Sequence, residues 1–271
     1  MSLEFPQIDP VALAIGPVQI RWYAIAYITG ILLGWFYIKK ILGRYGEEAR
    51  PNKSDIDDFM NWAIVGIILG GRLGYIIFYN LSYYLSNPLK VFHVWEGGMS
   101  FHGGFLGVAV AIIMFSKKNK VNMFRLADLL ACASPIGLFF GRIANFINAE
   151  LYGRVTGAPW GIVFPNGGEQ PRHPSQLYEA FLEGAVLFLI LGVCSRFDAV
   201  RQRSGLLAVV FIGGYAVSRF IIEFFREPDA HLGYFASGAT MGQILSMGMI
   251  AGALLLMVII LRVHKKKNVK T

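Results

Sequence analysis

Residues 141–153 read GRIANFINAELYG and close a long apolar run that begins near Phe124. They place one guanidinium group, two carboxamides and one carboxylate where a membrane helix would be leaving the bilayer. A bilayer penalises such groups, so those that occur there usually have partners and a function. We therefore expect the rest of the chain to form a frame around this segment.

The composition is that of a membrane protein. Of the 271 residues, 55% are hydrophobic and only 15% are charged, against roughly 25% charged in a soluble domain. The two cysteines, Cys132 and Cys194, lie in apolar runs, so the sequence does not indicate a disulfide framework. Residues 1–17 carry no basic segment ahead of the first apolar run, so we predict no cleavable signal peptide.

Seven apolar stretches have the length of about 20 residues that a bilayer requires. They cover residues 19–40, 58–80, 99–116, 124–147, 176–195, 205–225 and 240–262. The sequence therefore predicts an all-α polytopic membrane protein, with seven transmembrane helices in a single domain that covers residues 1–271. An odd number of crossings puts the two termini on opposite sides of the membrane.

The distribution of positive charge predicts the orientation. Of the 25 lysines and arginines, 17 lie on one side, in the connections 39–53, 117–125 and 196–203 and in the tail 262–270. The other side carries Arg21, Lys90, Arg154, Arg172 and Arg226. Because cytoplasmic connections are enriched in Lys and Arg, we place the tail in the cytoplasm and the N-terminus outside. The basic connections also suit contacts with anionic lipids.

The helical rise then places every ionisable residue of the spans in their outer halves. These residues are Tyr23, Arg72, His102, Arg142, Glu179, Glu183 and Arg219. A channel or proton relay would need polar groups across the full depth of the membrane. We expect one polar cavity, open to the outer leaflet, as in an enzyme that acts on a lipid head group.

Arginines in such a cavity suit an anionic ligand. A guanidinium group binds phosphate through two parallel hydrogen bonds and keeps its charge when buried. Arg142 and Arg219 are our candidates for phosphate binding. The alternative is that internal carboxylates pair with them, since Glu223 follows Arg219 by one helical turn. Glu150 lies near Arg142 if that helix continues.

Other polar residues support the same site, each with a structural alternative. Asn145 shares a helix face with Arg142, and Glu150 lies within a quarter turn of that face. A carboxamide there suits a polyol or phosphate, although a lone Asn also makes inter-helix hydrogen bonds. Arg72 stays open between phosphate binding and packing.

His102 is the candidate general base, because histidine titrates near neutral pH. The alternative is a structural histidine at a helix start. The adjoining Gly103 and Gly104 would let a ligand approach the backbone. Glycines also recur at four-residue spacing, which favours close helix packing: Gly30/Gly34, Gly66/Gly70/Gly74, Gly103/Gly107 and Gly137/Gly141.

The outer loop 164–176 is rich in glycine and proline, which specify turns. It is interpreted either as a lid or peptide-docking surface, or as an ordered connector that starts the fifth span. The sequence has no metal-ligand motif, nucleophile elbow or phosphate-binding loop. His102 and His173 do not form a recognisable metal site, and we expect no metal and no cofactor.

Four motifs together resemble one family. They are GRxANFxNxExxG at residues 141–153, HGG at 102–104, RHPSQLYE at 172–179 and RFxxEFxR at 219–226. In these motifs the chain is similar to the prolipoprotein diacylglyceryl transferases, and the resemblance runs from Pro6 to about Gln243. The departures, Ala149 for a frequent glycine and Phe105 for a frequent leucine, touch no residue assigned to chemistry.

This resemblance implies a multi-pass enzyme of the bacterial inner membrane, with its active site toward the outer leaflet. It would move the diacylglyceryl group of phosphatidylglycerol onto the thiol of the lipobox cysteine in a preprolipoprotein, releasing glycerol phosphate. The implied partners are phosphatidylglycerol, lipobox peptides and membrane lipids, with no nucleic acid.

The resemblance also implies roles for single residues. Arg142 would contact phosphatidylglycerol, and five further residues would be important for activity: Tyr23, His102, Asn145, Glu150 and Arg219. Our own assignment adds Gly103 and Gly104 to the lipid site. Secondary candidates are Arg72, Gly153, His173 and Glu223.

Two other functions would require different sequence patterns. An anion transporter would bind and release a solute through its arginines, and it would need polar residues in the cytoplasmic half and an internal repeat. A phospholipid phosphatase would need a histidine nucleophile with a second histidine as acid. The sequence offers neither pattern.

Overall fold

The structure is a computed structural model that describes residues 3–16, 18–46, 50–93, 95, 97–227 and 238–268. The side chains of Val18, Phe101 and residues 265–268 are outside this description. In the predicted cytoplasmic tail, residues 265–267 are therefore described by their backbone only, and Lys270 lies outside the described residues. Of the N-terminal segment considered for a signal peptide, residues 1, 2 and 17 lie outside them as well.

Helices dominate the described chain. They are α1 (Trp22–Leu42), α2 (Lys53–Tyr79), α3 (Leu81–Ser86), α4 (Phe101–Asn119), α5 (Met123–Ile147), α6 (Ser175–Glu179), α7 (Leu187–Cys194), α8 (Asp198–Arg201), α9 (Leu206–Ile222) and α10 (Met241–Asn268). A π-helical segment, Ala180–Val186, joins α6 to α7, so that Ser175–Cys194 is one continuous rod.

A helix occupies each of the seven predicted apolar stretches. Five helices in the described part of the chain are long and apolar enough to cross a membrane. They are Trp22–Leu42, Lys53–Tyr79, Met123–Ile147, Ser175–Cys194 and Met241–His264. The helix α9, with 17 residues, is shorter, and α4 ends in polar residues from Ser116 to Asn119. The chain is a mostly helical, multi-pass membrane protein.

The start of α2 lies five residues before the predicted stretch of 58–80, at Lys53. A capping box explains the difference: the Asn52 side chain accepts a hydrogen bond from the Asp55 amide at 2.9 Å, and the Asp55 carboxylate accepts one from the Asn52 amide at 2.8 Å. These two bonds satisfy amide donors at the helix start. The prediction followed apolar residues alone, and this first turn is polar.

The chain forms two compact units, residues 42–127 and residues 1–41 with 128–271. In the first of these, α2 packs along α4 through glycines. A Cβ atom added at Gly70 would lie 2.3 Å from the Gly103 carbonyl oxygen, and one at Gly107 would lie 2.0 Å from the Gly66 carbonyl oxygen. The predicted packing role of these glycines is confirmed.

Replacing Gly107 with alanine is expected to destabilise the unit formed by residues 42–127. The added methyl group has no space, so the helices must separate, at a cost of about 1–3 kcal/mol. Thermal unfolding in detergent measures the change. Gly252→Ala on α10 is the matched control, because no heavy atom lies within 4 Å of its added Cβ. Equal unfolding temperatures for the two variants would contradict the packing role.

The other unit brings α1 against α5. A Cβ atom at Gly30 would lie 2.9 Å from the Gly137 Cα atom, while Gly34 lies against Ala133. Gly141 differs from the predicted pattern, because a Cβ atom there would meet no other group within 4 Å. Gly141 has the predicted four-residue spacing, but no neighbouring helix in the described part of the chain packs closely enough against it to require a glycine.

A buried carboxylate fixes the start of α9. Asp128 of α5 accepts hydrogen bonds from the amides of Gly205 at 2.7 Å and Ala208 at 2.8 Å. Amide donors at a helix start lack partners within the helix, and a carboxylate there also suits the helix dipole. This contact joins α9, which carries Arg219, to α5, which carries Arg142. Asp128 lies near the opposite end of α5 from Arg142, so the expectation that every ionisable residue of the spans lies in an outer half is wrong for this residue.

Short strands and loops complete this unit. They correct the prediction of an all-α protein, and one of them covers the first residues of the predicted stretch 19–40, so that α1 begins at Trp22. The strands β2 (Val11–Ile15) and β3 (Val18–Arg21) form a hairpin, and β1 (Leu3–Glu4) pairs in parallel with β4 (Ile162–Val163). Ala149, Ile162 and Phe164 form a small buried core, with Phe5 packed against it. The predicted outer loop thus has its own apolar anchor in Phe164.

Candidate active site

An ion-pair network lies within the unit formed by residues 1–41 and 128–271, where three elements meet. Arg142 comes from α5, Glu179 and Glu183 come from the rod Ser175–Cys194, and Arg219 comes from α9. Glu223 and Arg226 follow the end of α9. Each guanidinium group in the network contacts at least one carboxylate.

Glu179 is the centre of the network. Its Oε1 atom lies 3.3 Å from Arg219 Nη1 and 3.1 Å from Arg226 Nη1, and its Oε2 atom lies 3.2 Å from Arg142 Nη1. The side chain has no exposed surface. One buried carboxylate therefore holds three guanidinium groups together, and a buried charge is tolerated only with such partners.

Arg142 bridges two carboxylates on neighbouring turns. Its Nη1 atom faces Glu179, while its Nη2 atom donates to Glu183 Oε2 at 3.3 Å. The Arg142 side chain is 18% exposed, whereas both glutamates are fully buried. The planar fork of a guanidinium group can serve two acceptors in fixed directions, which a lysine cannot do.

The π-helical segment presents Glu183. It begins directly after Glu179 and carries Glu183 at its centre. Short π-helical turns within α-helices often occur at functional sites. The widened turn also lies against α5, because a Cβ atom at Gly184 would lie 2.7 Å from the Phe139 side chain.

Arg219 is held from its other side by Glu223. The Arg219 Nη2 atom lies 2.8 Å from Glu223 Oε2, and Glu223 Oε1 accepts a hydrogen bond from the Thr240 hydroxyl at 2.9 Å. Gly242 is required here, because a Cβ atom would lie 2.5 Å from the Glu223 carboxyl carbon. The pairing of Arg219 with Glu223, the structural alternative from the sequence, is present.

A second polar cluster joins α1 to the end of α5. The Tyr23 hydroxyl donates to Glu150 Oε1, and Asn145 Nδ2 donates both to the Tyr23 oxygen and, at 2.8 Å, to Glu150 Oε1. Three residues that sequence reasoning proposed separately thus meet at one carboxylate. Glu150 holds Tyr23 and Asn145. The carboxylates that pair with Arg142 are Glu179 and Glu183, and not Glu150, which the sequence offered as the structural alternative.

Side chains from α6 and from the loop after α5 hold the ends of these helices together through backbone carbonyl groups. Gln176 Nε2 donates to the Glu150 carbonyl oxygen at 2.5 Å, and the Ser175 hydroxyl donates to that of Leu151 at 3.0 Å. Arg154 donates to the carbonyl oxygens of Glu223 at 2.9 Å and Arg226 at 2.8 Å. The ends of α5, α6 and α9 are therefore tied together.

Gly153 and His173 also take part in the hydrogen bonds that connect these helix ends. The Gly153 amide donates to the His173 carbonyl oxygen at 2.8 Å, and a Cβ atom at Gly153 would lie 2.3 Å from the Phe225 carbonyl oxygen. His173 Nδ1 lies 3.1 Å from the Tyr178 hydroxyl, and burial lowers the pKa of the histidine. Both positions favour a structural role beside the network.

The outer loop 164–176 is ordered by Arg172. Its guanidinium group donates to the carbonyl oxygens of Gly167 at 2.8 Å and Gly153 at 3.1 Å, and it pairs with Glu227 at 3.1 Å. Phe164 is fully buried. These contacts favour the ordered connector among the two interpretations of this loop.

An apolar cavity of about 400 Å³ is formed by the rod, α9 and nearby loops. It is lined by Trp160, His173, Tyr178, Phe181, Leu182, Ile221, Ile222 and Phe225. Leu182 and Ile222 are the sequence neighbours of Glu183 and Glu223. The elements that carry the charged network therefore also carry an apolar recess.

Arg72 lies in the other unit and has a different role. Its guanidinium group donates to five carbonyl oxygens, those of Lys90, Val91, His93, Gly97 and Gly98, at 2.6–3.2 Å. A guanidinium group has five N–H donors, so none is left for a phosphate. This geometry favours the packing role of Arg72.

His102, Gly103 and Gly104 also lie in the unit of residues 42–127. His102 is exposed in the first turn of α4. Gly103 faces the Gly70 carbonyl oxygen across the helix contact, at 2.3 Å from an added Cβ, while Gly104 has ordinary spacing at 3.6 Å from the Ile67 carbonyl oxygen. Gly103 is therefore occupied by packing. The roles of His102 and Gly104 stay predictions.

Sequence reasoning missed several members of the network. Glu179 and Glu183 are predicted to lie in the outer half, and Glu179 and Arg226 end two of the quoted motifs, but the sequence analysis gives none of the three a role. A signal was present, because Glu179 and Glu183 lie four residues apart and share a helix face. Both glutamates contact Arg142, which lies 37 and 41 residues before them in the chain. Sequence spacing alone does not reveal contacts over such a distance.

The fold and the site define a multi-pass membrane protein with partly buried arginines that are balanced by carboxylates and lie beside polar hydroxyl and amide groups. Guanidinium groups in a low-dielectric setting can bind a phosphate and stabilise negative charge that develops on it. Membrane enzymes that act on phospholipid head groups need such a site.

Comparison with known proteins gives the family. The model of the prolipoprotein diacylglyceryl transferase family matches residues 10–259, and the chain belongs to this family. A relative from Paramagnetospirillum magneticum, named phosphatidylglycerol–prolipoprotein diacylglyceryl transferase, is 55% identical over 96% of the chain and 97% of its own length. Relatives of the same name from Azospirillum brasilense and Rhodospirillum rubrum are 56% and 52% identical, over 92% and 95% of the chain and 93% and 94% of their own lengths.

Proposed function

We propose that the chain transfers the diacylglyceryl group of phosphatidylglycerol to the thiol of the lipobox cysteine in bacterial preprolipoproteins. One observation carries this proposal: Arg142 and Arg219 contact the same buried carboxylate, Glu179, in a member of this transferase family. Two guanidinium groups fixed by one acceptor are close enough together to share one phosphate. The apolar cavity formed by the same elements offers a surface for an acyl chain.

The reaction requires a nucleophile and a stabilised leaving group. A sulfur–carbon bond forms at the phosphate-bearing carbon of the diacylated glycerol unit. The bond between that carbon and the phosphate oxygen breaks. The thiol loses its proton, and glycerol phosphate leaves with the electron pair. A free thiol has a pKa of about 8.5, so a base or a positive field favours the thiolate.

Arg142 and Arg219 are assigned to the phosphate. They would stabilise the negative charge that develops as glycerol phosphate leaves. Asn145 and Glu150, with Tyr23, are assigned to the glycerol head, because a hydroxyl, an amide and a carboxylate suit a polyol. His102 is assigned to the thiol, as base or as the group that orients it. Gly104 remains a candidate contact of the lipid, whereas Gly103 packs against Gly70.

The secondary candidates from the sequence are assigned structural roles around the site. Glu223 holds Arg219, and Gly153 and His173 tie the loops to the end of α9. Arg72 is assigned to the packing of residues 90–93 and 97–98, whose carbonyl oxygens accept its five hydrogen bonds. No cofactor takes part in the proposed reaction.

The proposed topology completes the reaction's setting. All seven helices that occupy the apolar stretches cross the bacterial inner membrane as one transferase domain, with the N-terminus outside and the tail in the cytoplasm. The charge distribution supports this orientation. The polar cavity then opens to the outer leaflet, where the lipid and the exported peptide segment would both be present.

Purified protein with phosphatidylglycerol and a lipobox peptide tests the proposal. We expect the mass of the peptide to increase by one diacylglyceryl group. A peptide with serine in place of its cysteine is the control and should stay unmodified. No adduct on the cysteine peptide would contradict the proposed function.

The enzyme's own cysteines are expected to be dispensable. Cys132 is buried and Cys194 is partly buried, and neither forms a disulfide bond within the described residues. Because the nucleophile belongs to the peptide, the double variant Cys132→Ala/Cys194→Ala should keep its transfer rate within about 3-fold, since small core changes mainly affect stability. Rate measurements on equal amounts of folded protein decide this. Loss of transfer in the folded double variant would place a nucleophile on the enzyme.

A further inference from the structure

The carboxylates of the network differ in how firmly they are held. Glu179 contacts three guanidinium groups, and Glu223 contacts Arg219 and accepts from Thr240. Each of the three carboxylates has one buried oxygen that accepts no hydrogen bond from a described residue. For Glu179 and Glu223 this oxygen still lies 3.2 Å and 2.8 Å from a guanidinium nitrogen. Glu183 contacts Arg142 through Oε2 alone, and its Oε1 atom has neither a hydrogen bond nor an ion-pair contact among the described residues. A buried polar atom without a partner raises the free energy of the folded state. Glu183 is the least stabilised of the three.

The charges of the network also balance. Arg142, Arg219 and Arg226 supply three positive charges, and the paired carboxylates of Glu179, Glu183 and Glu223 supply three negative ones. A phosphate that enters a balanced site gains little net attraction. Because Coulomb interactions are strong in a poorly solvated interior, one carboxylate must give way before the phosphate can bind tightly.

We propose that Glu183 is a place-holding carboxylate, which occupies one donor group of Arg142 until the head-group phosphate of the lipid displaces it. This inference rests on the proposed function, because it concerns the same phosphate. Arg142 stays anchored to Glu179 through Nη1 during the exchange, so only its Nη2 atom changes partner. Glu183 acts through Arg142 and is a positioning residue.

Every charged or titratable group near Glu183 fits this exchange. Arg142 of α5 and Arg219 of α9 attract its carboxylate, while Glu179 of its own rod repels it. Tyr215 of α9 is close enough to interact with both Glu183 and Arg142. With Arg142 given to the phosphate, Arg219 and the Tyr215 hydroxyl remain to face the displaced carboxylate.

The place-holding role predicts an unusual effect of Glu183→Gln. The amide keeps the shape of the side chain and a hydrogen-bond acceptor for Arg142 but removes the competing charge. The KM for phosphatidylglycerol should fall about 10-fold, as should the inhibition constant of added glycerol phosphate, because one negative charge nearby is lost. If the negative charge of Glu183 were instead needed to keep Arg142 in its phosphate-binding geometry, the result would be the opposite, a higher KM.

The test measures KM, kcat and inhibition by glycerol phosphate for three proteins: the unaltered chain, Glu183→Gln and Glu169→Gln. Glu169 is exposed in the outer loop, so its variant removes the same charge away from the network and should leave KM unchanged. If the unaltered chain transfers lipid but folded Glu183→Gln has an unchanged or higher KM, the inference about Glu183 is overturned and the proposed function stands. Absence of transfer by the unaltered chain would instead overturn the proposed function.

Direct binding separates the two claims further. Glycerol phosphate binding by Glu183→Gln, measured by calorimetry in detergent, should be about 10-fold tighter than binding by the unaltered chain. Glu183→Asp keeps the charge and should retain the weaker affinity. Equal affinity in all three proteins would contradict a place-holding carboxylate.

Discussion

Replacing Arg142 with alanine is expected to lower kcat/KM for diacylglyceryl transfer on the order of 10³-fold. Removing one donor that stabilises developing negative charge typically costs about 10²- to 10³-fold. The change also leaves Glu183 without its ion-pair partner and removes one of the three partners of Glu179. The measurement is the rate of peptide modification at several concentrations of phosphatidylglycerol.

Arg142→Lys separates the charge of this residue from its shape. A lysine keeps the positive charge, but one ammonium group cannot bridge Glu179 and Glu183 in the way that the two terminal nitrogens do. We expect a loss on the order of 10²-fold, with normal insertion and folding. Turnover within about 3-fold of the unaltered chain in either variant would show that Arg142 is a structural ion-pair partner only.

Replacing Glu179 with glutamine should destabilise the folded protein more than any other single change in the network. Three guanidinium groups would lose their shared carboxylate and would then repel one another. Breaking a buried ion pair by removing one partner costs about 3–5 kcal/mol. Thermal unfolding in detergent, together with the yield of folded protein, measures this effect.

Glu227→Gln is the matched control for Glu179→Gln. It removes a carboxylate that also pairs with an arginine, Arg172, but the Glu227 side chain is 50% exposed. Exposed pairs contribute only about 0–1 kcal/mol. Similar unfolding temperatures for the two variants would show that burial of Glu179 does not determine its importance.

The helices of this fold are largely readable from the sequence, because long apolar runs have one structural meaning in a membrane protein. Each predicted run holds a helix. What was not predicted depends on polar detail: Asn52 and Asp55 extend α2 backwards through a capping box, and the π-helical segment interrupts the fifth run. Neither feature changes the apolar pattern that carried the prediction.

The candidate site was predicted in part, and its partners explain the difference. Arg142, Arg219, Tyr23, Asn145 and Glu150 stood out because polar groups in apolar runs are costly. Their pairing depends on which helices are neighbours, and sequence spacing does not give that information. Glu150 was one possible partner of Arg142 if the helix continued, but its carboxylate accepts hydrogen bonds from Tyr23 and Asn145 instead.

Glycine spacing was informative only where two helices face each other. Gly70 and Gly107 lie in tight backbone contact with Gly103 and Gly66, whereas Gly141 has open space beside it. The same four-residue spacing therefore has different meanings at different positions. A pattern on one helix predicts packing only when the opposing helix is known.

The central claim is that Arg142 and Arg219, joined through Glu179, hold the head-group phosphate of the lipid. An experimental structure of the protein with bound phosphatidylglycerol tests it most directly. We expect phosphate oxygens about 2.7–2.9 Å from nitrogen atoms of both guanidinium groups, with Glu183 displaced from Arg142 Nη2. A phosphate bound elsewhere, with Arg142 still paired to both Glu179 and Glu183, would contradict the account.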